Sequence, residues 1–415
     1  MPQFLPFRGI RYDPGALGPH GIGAVVAPPY DVVDDDEREE LLRRDPHNSV
    51  RLILPDGDES ERYDVAAADF AGWQRDGALR RDADEQLYVY RMAFRDDDGR
   101  PRRTLGVLGA LALPGGTGRD DGEPILPHER TLPKAKSDRL ALLRATRANF
   151  DPIWGLSLAD GLSDLLATAG DPAVVCEDDD DVEHALWPLA DRERVAAITR
   201  AVASAPVVLA DGHHRFETGI AYRDELRAAG EEPGGAGAIM AFVVELAEDQ
   251  LDVRPIHRLI HGLRGSDLRR ALADAFTVTD AGPNSPEGVD VLRRRMHDER
   301  ALGLVDGDGL ALAVPERARV DEALASLPDP VRGVDAAVFE HLVVPALAGA
   351  QVAYRHDARE VAALVEKGAA DAAVLLRPAD VAQIRAVAFA RERMPQKTTF
   401  FNPKPRTGFV FRTLD

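Results

Sequence analysis

Residues 207–226 read VVLADGHHRFETGIAYRDEL. Four apolar residues, Val207 to Ala210, run into Asp211-Gly212, and an amphipathic stretch follows until Gly230. This pattern predicts a strand, a tight turn and a helix closed by glycine. Gly212 permits close backbone approach, and the helix start near His213 offers free N–H groups and the positive end of a dipole, which together suit an anion. Arg215 in the first turn adds a bidentate phosphate donor. His213 and His214 can donate to a phosphoryl oxygen, Asp211 can accept a proton or ligate a metal, and Glu217 can do either. The same residues also make an ordinary polar turn with Asp211 as helix cap. Because neighbours on a helix diverge by about 100°, His213 and His214 are poorly placed to share one metal.

Outward from this stretch, strands and helices alternate. QLYVYRMAF (86–94) and TLGVLGALAL (104–113) predict a hairpin, and ERYDVAAADFAGWQRDGAL (61–79) predicts a helix with Tyr63, Ala67, Phe70 and Trp73 on one face. SDRLALLRATRANF (137–150) reads as a helix capped by Ser137 or Asp138, ANFDPIWGLSL as a return to strand, and CEDDDD (176–181) as a solvated turn. After residue 262 the texture becomes Ala-, Arg- and Asp-rich helices between short strands. The fold class expected is α/β or α+β. The expected division is 1–261, carrying the main motifs, 262–393, a further αβ subdomain, and 394–415, a basic segment packing back toward the site.

The chain has 415 residues, 45% apolar and 29% charged, as in a soluble globular protein of more than one subdomain. A formal net charge of −20 argues against nucleic acid or an anionic membrane as partner. No stretch approaches 18 uninterrupted apolar residues, and the N-terminus does not read as a signal peptide. The single cysteine, Cys176, suits a reducing cytoplasm. No nucleophile elbow, His-Glu-x-x-His, Cys-based metal spacing or Walker A loop is present.

Against this acidic background two basic islands are exceptional. Pro127–Asn149 carries Arg130, Lys134, Lys136, Arg139, Arg144 and Arg147 against Glu129 and Asp138. Within it His128, Glu129, Arg130 and Lys134 are the kind of set that lines a polar cleft. Met394–Phe411 carries Lys397, Lys404 and Arg406 with no acid between Glu392 and Asp415. Only five of the 51 basic residues are lysines, and four of those fall in these islands. A compact ammonium at an anion site is not interchangeable with a guanidinium.

The blocks FRGIRYDP, VVAPPYDVV, LPHERTLPKAKSDRLALLRATRANFDPIWGL, LADGHHRFETGIAYRDE and MPQKTTFFNPKPRTG, in this order, resemble the DUF1015 family over essentially the whole chain. The Asp-Gly-His-His-Arg turn is also similar to the phosphate-binding turn of the ParB/sulfiredoxin-like superfamily, which includes free-serine kinases. The resemblance implies a ParB/sulfiredoxin-like core with an additional αβ subdomain, although the chain is longer than the short kinases. It implies a phosphotransferase converting L-serine to O-phosphoserine with ATP, ADP or pyrophosphate as donor, and Mg²⁺ as companion. Its partners would be a phosphorylated small molecule and an amino acid. By that resemblance Gly212, His213, His214 and Arg215 cradle the donor, and Asp211 or Glu129 accepts the serine proton. Lys134, Arg130, Lys397 and Lys404 supply charge or hold the substrate carboxylate, with His128, Lys136, Glu217 and Arg406 as further contacts. The alternatives are a non-enzymatic regulator that binds a nucleotide or phosphometabolite, and a metal-dependent phosphohydrolase.

Overall fold

The computed structural model describes all residues except 59–60, 98, 116–123, 130–135, 168–169, 264 and 348. It shows a mixed αβ protein of two compact units. The first comprises 1–127, 131–252 and 403–415, and the second 128–130 and 253–402. The change of unit thus falls at 252/253 rather than 261/262, because the strand His257–His261 pairs with Gln351–Arg355 and Ala372–Leu375 of the second unit.

A nine-stranded sheet is the frame of the first unit. Its centre is the strand Ala238–Glu245, which runs parallel to Ile153–Ser157 and antiparallel to Pro101–Ala112. The AIMAFVVE run is buried along nearly its whole length, as expected of a strand covered on both faces. The predicted hairpin forms, with Arg95 opposite Pro101. Val207–Asp211 lies between Ile153–Ser157 and Ile125–Pro127, so the chain leaves the sheet at Asp211 beside Ile153 and Trp154. A second cluster gathers Phe70 and Trp73 from the helix Arg62–Arg75 with Phe150 and Phe411, the aromatic rings meeting edge to face.

The helix within the first basic island begins at Lys136, so Ser137 and Asp138 lie inside it and do not cap it. Asp138 instead accepts from Tyr63, Arg62 and Arg139, a pairing across elements that outweighs local capping. The acidic turn is also not simply solvated. Asp179 and Asp180 are exposed, but the Asp178 side chain is only 8% exposed and is bound by His184 and Arg406.

The second unit is built on a six-stranded sheet whose recorded pairings are all antiparallel. The helices Pro286–Glu299 and Ala358–Glu366 bury Val289, Leu292, Met296, Val361 and Val365 against it. Ser285 and Asp357 cap them, each accepting backbone N–H bonds from the first turn. No helix among the described residues is long and apolar enough to cross a membrane.

Candidate functional site

The strand Val207–Asp211 stops because Gly212 takes a left-handed conformation, φ +83°, and the helix His213–Ala228 begins at the next residue. A Cβ at 212 would lie 3.0 Å from Ile153 Cγ2 and 3.1 Å from Ile153 Cα, so the backbone requires glycine for both torsion and space. The helix has no side-chain cap and no acid in its first turn, which leaves its N-terminal N–H groups for water or a ligand.

Asp211, the expected proton acceptor, is paired with two cations. Its Oδ2 accepts from Arg215 Nη2 at 2.9 Å, and its Oδ1 accepts from Lys404 Nζ. Burial pushes the carboxyl up, but Lys404 and Arg215 outweigh burial and hold it down at about 2. A carboxylate held this low is weakly basic, and its two oxygens hold the two cations in place. Arg215 also donates to the Pro152 carbonyl. Burial opposes its charge, and Asp211, Asp151 and Asp31 more than compensate.

Beside this turn lies a cavity of about 50 Å³ lined by Arg139, Asn149, Asp151, Arg215 and Thr218, with an apolar wall that includes Leu142 and Ile239. Such a volume has room for about four water molecules, or one phosphate-sized group. Arg215 Nε and Thr218 Oγ1 are buried and have no hydrogen-bond partner among the described residues. Buried donors left unused beside a cavity point to a ligand or ordered water. Asp151 is 8% exposed and accepts from Thr407 Oγ1. Burial pushes its carboxyl up, against the pull of Arg215 and Arg139. Arg139 lies 4.3 Å from the Tyr30 ring centroid and donates to the Ile53 carbonyl at 2.7 Å.

The other expected residues separate into distinct roles. Arg406 donates to Asp178 at 2.7 Å and reaches Asp180 at 3.2 Å, so two carboxylates occupy it. Asp178 also binds His184 Nε2 at 2.7 Å, and His184 Nδ1 meets the Tyr90 hydroxyl at 2.7 Å. Arg406 is therefore one of the attachments of residues 403–415 to the first unit, next to the Thr407–Ala27 and Phe411–Ile10 backbone pairs, and it lies two residues from Lys404.

His128, Glu129 and Lys397 lie in the second unit. Glu129 accepts from the backbone N–H groups of Lys397, Thr398 and Thr399 at 3.1, 3.2 and 2.9 Å, and from Thr399 Oγ1 at 2.8 Å. His128 Nε2 shares Thr399 Oγ1 at 2.8 Å and approaches Glu129 at 3.3 Å. Glu129 here ties two distant segments, and Lys397 contributes its backbone. His213 and His214 open the helix half-buried, with His214 Nδ1 unpartnered among the described residues, and Glu217 sits one turn on. Arg130 and Lys134 fall outside the described residues, as does the side chain of Lys136.

Tyr30, Arg139, Asp151 and Thr218 are the residues that sequence reasoning did not assign. All four sit inside the quoted blocks or the opening helix, and the acid in NFDPI next to proline was the available signal for Asp151.

No three His, Cys, Asp or Glu side chains among the described residues are grouped to hold a metal ion. Asp211 already faces Lys404 and Arg215, so a divalent cation there would meet two positive charges, and the arrangement does not fit a metal at this carboxylate.

The family model described as "Protein of unknown function (DUF1015)" matches residues 4–337. The chain belongs to the DUF1015 family. No curated protein matches it significantly. Among solved structures, this DUF1015 chain is similar to a free serine kinase in complex with AMP, at 15% identity and TM-score 0.35, over 69% of this chain and 88% of that one. It is similar to SbnI from Staphylococcus aureus at 15% identity and TM-score 0.37, over 73% and 85% of the two chains. A conserved hypothetical protein from Pyrococcus furiosus matches at 12% identity and TM-score 0.38, over 70% and 92%. Likeness at this level carries no inference about activity.

Proposed function

We propose that this DUF1015 protein is a small-molecule phosphotransferase whose phosphoryl group sits at the start of the helix His213–Ala228. The observation that carries the reading is the small, largely apolar-walled cavity where Arg215 and Thr218 keep unused donors beside the buried carboxyl of Asp151. Arg215 and Lys404 supply fixed positive charge, and the helix start supplies N–H groups, as phosphoryl transfer requires. The cavity accommodates one phosphate group, so the remainder of a nucleotide would lie outside it.

In the proposed step a substrate hydroxyl attacks the terminal phosphorus of ATP, ADP or pyrophosphate. The new P–O bond forms as the bridging P–O bond breaks, and the shortened donor leaves with that electron pair. Asp151 takes the hydroxyl proton, since a carboxyl raised by burial is the better base and Asp211 is held ionised by its partners. L-Serine is the acceptor to try first, following the sequence resemblance. A small-molecule partner in the cytoplasm accords with the net charge of −20 and the lone cysteine.

The test is incubation of the purified protein with each donor, with and without Mg²⁺, and a panel of hydroxy amino acids, with phosphorylated products followed by mass spectrometry. O-phosphoserine or another phosphorylated hydroxy acid supports the proposal. Donor consumption without such a product indicates a phosphohydrolase, and tight donor binding without turnover indicates a regulator. Loss of phosphate binding in neither Arg215→Ala nor Lys404→Met removes the site itself.

A further inference from the structure

A second feature of the first unit lies outside this site. Arg412 is only 7% exposed and has no carboxylate partner among the described residues. Its Nη1 donates to Asn149 Oδ1 at 3.1 Å and to the Ala238 carbonyl at 3.0 Å, and its Nη2 donates to the Gly235 carbonyl at 2.7 Å. All three acceptors are neutral. A guanidinium has five N–H donors, so the Nε–H and one N–H on Nη2 remain without an acceptor. Those two nitrogens form the edge with which arginine takes a carboxylate side-on. A buried, uncompensated cation is costly, and burial alone pushes the pKa of Arg412 down to about 10.

The residue lines a cavity of about 450 Å³. Leu5, Pro6, Ala110 and Ala112 give that cavity apolar wall, and Arg8 and Arg81 lie on it with Glu85 and Asp415. Arg81 is engaged by Asp415 at 3.1 Å and the exposed Arg8 donates to the Asp82 carbonyl, while Arg412 is the buried cation of the three. Gly235 allows the arrangement, because a Cβ there would lie 2.8 Å from the Leu414 backbone and push the last strand away.

We propose that this cavity is a binding site for a small organic carboxylate, its carboxylate on the Nε–Nη2 edge of Arg412 and its short carbon stem on Leu5, Pro6, Ala110 and Ala112. A singly charged carboxylate fits better than a free phosphate, since Glu85 and Asp415 on the cavity repel a dianion more strongly. The site is independent of the phosphoryl site, and neither reading needs the other.

Titration calorimetry with butyrate on the intact protein tests it, with inorganic phosphate as the comparison probe. Butyrate is expected to bind saturably, equally well in the parent and in Arg215→Ala, and at least about tenfold more weakly in Arg412→Gln. Should Arg412→Gln fail to fold, Ala112→Leu fills the cavity while leaving the guanidinium in place, and it is expected to abolish binding. In the parent, the Arg412 Nε–H resonance should shift on titration. Absence of butyrate binding, or binding unchanged in both Arg412→Gln and Ala112→Leu, overturns the proposal. Phosphate binding lost only in Arg215→Ala reports the phosphoryl site and leaves the carboxylate result to decide.

Discussion

Lys404 and Asp211 stand 193 residues apart in sequence and form a largely buried ion pair, the lysine ammonium on Oδ1 while Arg215 holds Oδ2. Two cations are thereby fixed at a helix start by one carboxylate. The pair explains why an ammonium and a guanidinium are both present: the compact group reaches one oxygen, and the planar one binds Asp211 and the Pro152 carbonyl together.

Removing the shared carboxylate leaves both cations unbalanced. Asp211→Asn is expected to destabilise the fold by about 3 kcal/mol, the cost typical of breaking a buried pair from one side. Urea denaturation with and without saturating inorganic phosphate checks this. Phosphate should restore part of the loss, because it replaces the missing negative charge.

Acid stability follows from the two depressed carboxyls. Asp211 falls from an ordinary 3.8 to about 2, and Asp178 is held low by His184 and Arg406 against burial. A depressed carboxyl stabilises the fold above its unfolded pKa and loses that contribution as pH falls through the folded value. Stability should therefore drop between about pH 4 and pH 2, by about 2 kcal/mol for Asp211. Denaturant midpoints measured across that range should fall less steeply in Asp211→Asn than in the parent.

Asp151 behaves in the opposite sense. Its carboxyl is raised by burial, so the folded state holds the proton more tightly and ionisation at neutral pH destabilises it. Asp151→Asn keeps an acceptor for Thr407 and should raise the melting temperature slightly at pH 7. The same change should cut phosphoryl transfer by about 10²–10⁴-fold, the range for loss of a general base. A melting temperature that rises with activity intact would remove Asp151 from the mechanism.

The turn itself is open to a small test. Gly212→Ala meets both a left-handed backbone and the Ile153 side chain, and should cost about 1–2 kcal/mol. Phosphate affinity should fall with it, since the helix start shifts. Calorimetric titration of phosphate alongside a thermal melt separates the two effects.

The Arg406 attachment of the C-terminal segment predicts a rescue. Arg406→Ala leaves the buried Asp178 with His184 and the backbone N–H groups of Asp180 and Val182 but without its arginine, and Lys404 loses a nearby attachment. Stability and phosphate affinity should both drop. Adding Asp178→Asn removes the stranded charge and should recover stability while leaving affinity low, because Lys404 still lacks that attachment.

Local chemistry in the sequence was enough for the strand, the glycine turn and the helix at 207–228, for the hairpin at 87–112 and for the family. Each depends on side-chain periodicity or on one residue's backbone freedom, which neighbours in the chain determine. The same residues could not reveal that Lys404 and Arg215 share the Asp211 carboxylate. Nor could they show that Glu129 accepts three backbone N–H groups from 397–399. Asp178 read as solvated until Arg406 reached it from the far end of the chain. Pairing between distant charges depends on which segments the sheet and the aromatic cluster bring together. That choice, with the burial that raises Asp151 and the two cations that lower Asp211, belongs to the tertiary structure alone.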